Sequence, residues 1–281
     1  MGVIVEALNS LLTVANAMNL IGVAISSAFA AYFGAWGAQK LILRAQEVSE
    51  IRATSNLISS SQIFGYTILN AALIFKKQHG VELKEKYEQD LRSGSNIGGA
   101  NIVHLRMDLR TLPLPRFPLN QAETLFFEKV QLSGRAAAAA ATVLQSIELL
   151  REAVELRNSL IEEIRHSSLS EPEKIAIYLA LPTPKGHDER YKNVVDAISS
   201  YCDDVIFFAL ILDFDLQKKN NDLLLISRKA QKLTRPAATK WRHEIIDRLV
   251  PSPDYYREWL DGYPDDEIPP ILTLRKSSDA T

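Results

Sequence analysis

Cysteine is nearly absent from this chain. Cys202 is the only one, so no disulfide can close within the molecule, and a stapled secreted scaffold is excluded. That usage fits a reducing compartment. Cys202 sits in an apolar helical pattern beside Asp203 and Asp204, whereas a nucleophilic thiolate requires a neighbouring positive charge. It reads as a small buried hydrophobe.

Signature motifs are missing too. There is no Gly-x-x-x-x-Gly-Lys, no Gly-x-Gly-x-x-Gly and no Gly-x-Ser-x-Gly, which removes the common phosphate cradles and the nucleophile elbow. Gly94, Gly98 and Gly99 come after a helical pattern with no lysine behind them, and read as a hinge. His243-Glu-Ile-Ile-Asp247 approaches a zinc-protease helix, but Asp stands where the second histidine ligand belongs. His79, His104, His166 and His187 are scattered. Asp203-Asp204 and Asp213-x-Asp215 read as solvated or salt-bridged, since a carboxylate metal site in a bundle uses Glu-x-x-His pairs on facing helices. His104, Arg106, Asp108 and Arg110 read as the exposed, ion-paired face of a strand. No catalytic residue, metal or cofactor is expected, and the chain is read as a non-enzyme.

Charge is absent from one stretch altogether. Ala7–Gln39 contains no Asp, Glu, Lys, Arg or His. A helix crosses a bilayer's hydrocarbon core with roughly 20 mostly apolar residues, so this run reads as a membrane anchor with its span at about 18–38. It is too long for the apolar core of a cleaved signal peptide, and only Glu6 is charged ahead of it. Gly22, Ser26, Ala30, Gly34 and Ala38 recur every four residues. Such a stripe lets two membrane helices pack closely, and it is the expected helix–helix interface. Phe29, Tyr32, Phe33 and Trp36 gather toward the C-terminal end, where Tyr and Trp favour the headgroup level. Lys40, Arg44 and Arg52 come next, which places the C-terminal bulk in the cytoplasm by the positive-inside rule.

Ala53–Phe75 is uncharged as well. Its first half is rich in Ser, Thr and Asn, poorly suited to hydrocarbon, and Leu57, Ser61, Phe64, Ile68, Ala71 and Phe75 alternate four and three apart as in a coiled coil. A single span continuing into a stalk is the favoured reading, with the chain self-associating through anchor and stalk and acting as a scaffold, sensor or assembly subunit. The alternative is a two-span hairpin that oligomerises as a transport-accessory or membrane-perturbing component. A third reading, an enzyme with its site between helices, has no motif behind it.

Beyond the anchor the pattern is helical. Lys40–Leu91 has no proline. Ser93–Gly99 breaks the helix, and Val103, Leu105, Met107 and Leu109 show the only two-residue period, with Ile271–Arg275 as a possible partner strand. Prolines at 113, 115 and 118 enforce extended chain. Asn120 with Glu123 suggests a helix start, as does Ser170-Glu-Pro-Glu173. Between them Val143, Ile147, Leu150, Val154, Ile161 and Ile164 mark a long amphipathic helix. Asp188 to about Lys219 is another, apolar all round at Val205–Leu212 and so a core helix. Lys240–Val250 suggests a further helix, and Ser252-Pro253 caps a last one ending at Asp261-Gly262.

The expected fold is therefore mainly α: an N-terminal membrane anchor (1–39), a long helical stalk (40–92), a Gly/Pro-rich linker with one possible strand (93–119), a cytoplasmic antiparallel helical bundle (120–262) and a flexible tail (263–281), with at most a minor two-stranded β element. A hydrophobic share of 47% supplies both a core and an anchor. The net charge of −2 gives no general pull toward nucleic acid. One local exception is Arg228–His243, with Arg228, Lys229, Lys232, Arg235, Lys240 and Arg242 and no acid among them before Glu244. Each base near an anionic leaflet adds about 1 kcal/mol, so this patch is a candidate for lipid headgroups or other phosphates. The expected partners are the lipid bilayer, a second copy of the chain and a further protein; nucleic acid is not expected.

Overall fold

The computed structural model describes residues 2–95, 107–183, 186–227 and 248–274. They divide into two units, 2–54 and 55–274. The described chain is mostly helical and contains no strand; Thr183 and Gly186 form an isolated bridge.

Helix α1 runs from Gly2 to Phe75. No proline occurs before Pro113, so nothing interrupts its ladder of hydrogen bonds. A π turn, Lys76–Gly80, leads into α2, Val81–Ser95. After the chain 107–118, α3 is Leu119–Glu123, and a π segment continues it at Thr124–Lys129. The long α4 spans Gly134–His166, α5 Glu171–Tyr178 and α6 Arg190–Ser227. A 3₁₀ turn, Pro253–Tyr256, precedes α7 (Arg257–Asp261) and α8 (Pro270–Leu274).

Within the second unit α6 is central. Every residue from Val205 to Leu212 is buried, as its all-round apolar character requires. α4 runs antiparallel to it. Arg135, at the start of α4, binds Asp215 near the end of α6, while Glu163 near the end of α4 binds Arg190 at the start of α6. Ala139 and Ala140 are fully buried; the alanine run gives α4 a strong helix former with little bulk.

A second neighbour of α6 is residues 55–92 of α1 and α2, also antiparallel. Ser55 bonds Asn220, an added Cβ at Gly65 would sit 4.0 Å from Leu212, Cys202 Sγ lies 3.6 Å from the Ala72 carbonyl, and Lys84 pairs with Asp196 at 2.6 Å. Ile58, Ser61, Ile68, Leu69, Ala72 and Phe75 are buried. The division between units thus falls at 54/55 rather than at the Gly-rich break after Arg92. The four–three spacing, expected to mark a coiled-coil stalk, marks a face buried in the chain's own core. Periodicity shows that a helix has a partner, not whose helix it is.

Two local expectations are corrected. Ile271–Leu274 forms α8, not a strand, because Pro270 opens a helical turn and Leu272 N–H donates to the Pro269 carbonyl at 2.9 Å. Val103–Arg106 lies outside the described residues, and Met107–Arg110 is irregular chain. Asn120 is not the cap of α3, which starts one residue earlier after Pro118 with no side-chain cap. At α5 the capping residues act as read: Ser170 N–H and Oγ–H both donate to Glu173 Oε2, at 3.0 and 2.9 Å. Ser252 Oγ likewise accepts from Asp254 N–H.

Candidate functional site

The apolar part of α1 is the feature left uncovered among the described residues. It is the one helix among them long and apolar enough to cross a membrane. Its most apolar window has a mean hydropathy of 1.4 and no buried residue. Met18, Ile21, Val23, Ile25, Phe29 and Phe33 are all exposed, Met18 at 71%. In water such a surface opposes the hydrophobic effect at every turn.

Gly22, Ser26, Ala30, Gly34 and Ala38 all lie exposed on this helix. Steps of four residues turn by about 40°, so the stripe winds gently round the axis. An added Cβ at Gly22 or Gly34 would meet nothing within 4 Å, so both glycines leave open room for a second backbone. Ser26 donates to the Val23 carbonyl at 3.0 Å, which satisfies its hydroxyl without help from solvent. The aromatics stand on a neighbouring face. Phe29 stacks on Phe33 with centroids 6.3 Å apart, Tyr32 meets Phe33 edge-on, and Lys40 Nζ lies 5.1 Å from the Trp36 ring centroid. That is the order of groups found at a headgroup boundary: rings, then a cation.

A second constellation, in the unit 55–274, is polar and buried. Arg157 projects from α4 with no exposed surface. It donates to the Arg110 carbonyl at 2.8 Å, to the Asp108 carbonyl and to Tyr191 Oη at 3.1 Å. Beside it Asn158 brackets Leu112, accepting from its N–H and donating to its carbonyl, each at 2.8 Å. Tyr87, Tyr178 and Tyr191 pack ring against ring around this point, and Tyr178 donates to Asp90 at 2.9 Å. Burial pushes the Tyr87 phenol up to about 12 and raises those of Tyr178 and Tyr191 as well. The side-chain hydrogen bond from Arg110 holds Asp108 below the usual carboxylate range. All three phenols stay neutral at physiological pH; Tyr178 and Tyr191 donate, to Asp90 and to the Asp108 carbonyl, whereas the buried Tyr87 hydroxyl has no hydrogen-bond partner among the described residues. The cluster fastens the chain 107–112 to α4.

The carboxylates flanking the apolar run of α6 have structural partners. Asp203 pairs with Lys76, Asp204 accepts from Tyr256 at 2.9 Å, and Asp215 is held by Arg135. Burial raises the Asp204 and Asp213 carboxyls. Tyr256 also stacks flat on Phe207, centroids 3.8 Å apart. Cys202 is buried, and burial pushes its thiol up to about 12, which leaves it inert.

A cleft of about 620 Å³ lies beside α5, floored by Pro172, Ala176, Ile177 and Leu181. Its polar rim is committed to neighbours: His187 Nε2 lies 2.6 Å from the Ala180 carbonyl, and Asp188 is bound by Arg190. Among the described residues no group of three His, Cys, Asp or Glu is placed to hold a metal ion. Arg228, Lys229, Lys232, Arg235, Lys240 and Arg242, together with His104 and His243, lie outside the described residues.

The sequence pattern does carry a signal for Arg157. It occupies the buried stripe of α4 between Val154 and Ile161, where a charge demands buried partners. Asp90 does the same on α2 after Leu83 and Tyr87. Comparison with protein-family models, with curated proteins and with solved structures finds no match to this chain.

Proposed function

We propose that the chain is a single-span membrane protein whose helical unit, an antiparallel bundle, stands on the cytoplasmic side and acts without catalysis, as a scaffold, sensor or assembly subunit that self-associates through its anchor. One observation carries this reading: the apolar side chains of α1 at Met18 and from Ile21 to Leu43 are exposed all round. A bilayer is the solvent that removes that cost, and a span at 18–38 has a helical length of about 30 Å, the thickness of the hydrocarbon core. The burial of Ile58, Ile68, Leu69 and Ala72 within the chain's own core supports one span over a hairpin, since the second apolar stretch already has its apolar surroundings. Lys40, Arg44 and Arg52 support a cytoplasmic location for the residues C-terminal to the span. The open stripe from Gly22 to Ala38 supports association between copies.

Replacing Gly22, Ala30 and Gly34 with Ile tests this reading. Native chain solubilised from the membrane pellet is expected to run as a dimer or larger species, and the triple variant as a monomer from the same pellet. Dimers that survive the substitutions would remove the stripe from the account. Recovery of native chain in the soluble fraction would remove the anchor.

A further inference from the structure

Residues 108–112 are held in the fold chiefly by their main chain. Tyr178 Oη accepts from Asp108 N–H, and Tyr191 Oη donates to the Asp108 carbonyl, both at 3.4 Å. Arg157 donates to the carbonyls of Asp108 and Arg110, and Arg165 to that of Leu109 at 2.5 Å. Asn158 takes both the N–H and the carbonyl of Leu112. Of the groups that grip, Arg157, Tyr178 and Tyr191 are buried, whereas no residue from Met107 to Pro118 is. Met107, Leu109 and Leu112 are half-buried and pack on the core. A cavity of about 240 Å³ is lined by Asp108, Arg110 and Leu112 together with His79, Glu82 and Leu83, so the segment is gripped from α4 and loosely packed toward α2. Arg157 Nε is buried without a partner among the described residues. The resident segment therefore does not exhaust the donors of its seat.

We infer that this face of α4, with Tyr178 and Tyr191, is a groove for an extended peptide, and that residues 107–112 fill it as the chain's own autoinhibitory segment. Main-chain hydrogen bonds give such a groove affinity for an extended chain, and apolar contacts at spaced positions give it preference. The partner it fits is an extended segment of another protein, apolar at the positions of Met107, Leu109 and Leu112. The side chains of Arg110 and Thr111 are exposed and set no requirement from α4. Arg157 is bonded to two carbonyls and a phenol, and among the described residues to no carboxylate. Its donors thus read a backbone, where an ion pair would demand one acidic side chain. The resident segment belongs to the same molecule, so its effective concentration is roughly millimolar, and an incoming peptide competes against it. The inference does not depend on the membrane reading of α1.

The probe is a fluorescein-labelled peptide of residues Met107–Pro118, added to the full chain in detergent and read by anisotropy. Leu112→Pro in the chain removes the N–H that Asn158 accepts and leaves α4 untouched. This variant is expected to bind the peptide about tenfold tighter than native chain, because its own segment competes less. N-methylation of Leu112 in the peptide removes the same N–H and is expected to weaken binding about tenfold. Alanine at Arg110 and Thr111 of the peptide should leave binding nearly unchanged. Equal binding by native and Leu112→Pro chains, or indifference to N-methylation, would overturn the groove. Where Leu112→Pro fails to fold, hydrogen exchange on the native chain decides. The Leu112 amide is then expected to exchange at least about tenfold faster than that of Ile161 in α4, through local opening. Equal rates would mean that the segment leaves only on global unfolding, and would overturn the inference. Native dimers that the peptide dissolves would seat a second copy's segment in the groove, and would overturn a foreign occupant.

Discussion

Arginine at Ile25 and Phe29 together is expected to shift most of the chain from the carbonate-resistant pellet into the soluble or aggregated fraction. Both positions lie near the middle of the proposed span at 18–38. Each charge there costs about 2.5–3.5 kcal/mol on insertion scales. Two cost roughly 6 kcal/mol, a bias of about four orders of magnitude. The same pair of changes at Gln46 and Ser49, past Lys40 and Arg44, is expected to leave partition unchanged. Fractionation with immunodetection reads both. Equal membrane recovery of the two variants would mean that the apolar face of α1 is held by something other than hydrocarbon.

Arg135→Ala is expected to lower folding stability by about 3–5 kcal/mol, the usual cost of leaving one member of a buried pair behind. Arg135 is 2% exposed, binds Asp215 through two bonds at 2.9 and 2.5 Å, and donates to the Glu267 carbonyl at 2.8 Å. It ties three separate stretches together: the start of α4, the end of α6 and the chain before α8. Its loss strands Asp215, whose carboxylate is 13% exposed. The urea midpoint of the full chain in detergent should fall accordingly. The double change Arg135→Met with Asp215→Leu should recover most of the loss, since apolar replacements of a buried pair are often neutral. A single variant within about 1 kcal/mol of wild type would place this pair with exposed ion pairs.

Much of this architecture can be read from local pattern. Val205–Leu212 is apolar on every side and can only be a span or a core, and its length excludes the span. Ser170 and Glu173, and Ser252 with Pro253, announce helix starts because their chemistry is short-ranged. The partner of a face is not short-ranged information. Leu57, Ser61, Phe64, Ile68, Ala71 and Phe75 have the spacing of an intermolecular seam, yet Ser61, Ile68 and Phe75 are buried in the core that α6 shares. Prolines at 113, 115 and 118 suggest a boundary, yet Leu112 beside them is bonded to Asn158 of α4, and the division between units lies at 54/55.

Buried polar chemistry is hidden for a related reason. Arg157 breaks the apolar stripe of α4, but its partners are main-chain carbonyls at Asp108 and Arg110 and the hydroxyl of Tyr191. No side-chain motif advertises a carbonyl. The C-terminal strap is similar. Tyr256 is one of four aromatics between Pro253 and Tyr263, and its stack on Phe207 and bond to Asp204 arise only once α6 brings those groups to one face. The small-residue stripe of α1 is the reverse case. Spacing alone reveals it, and its exposure leaves room for a partner.

The proposed single span sets the residues C-terminal to it on the cytoplasmic side. The decisive measurement is labelling of Glu155→Cys by a membrane-impermeant maleimide in sealed vesicles of both orientations. Glu155 is exposed on α4, and the native Cys202 is buried. Labelling is predicted only when the cytoplasmic face is outermost, with the chain retained in the carbonate pellet. Labelling from the opposite face, or equally from both, would rule out this orientation.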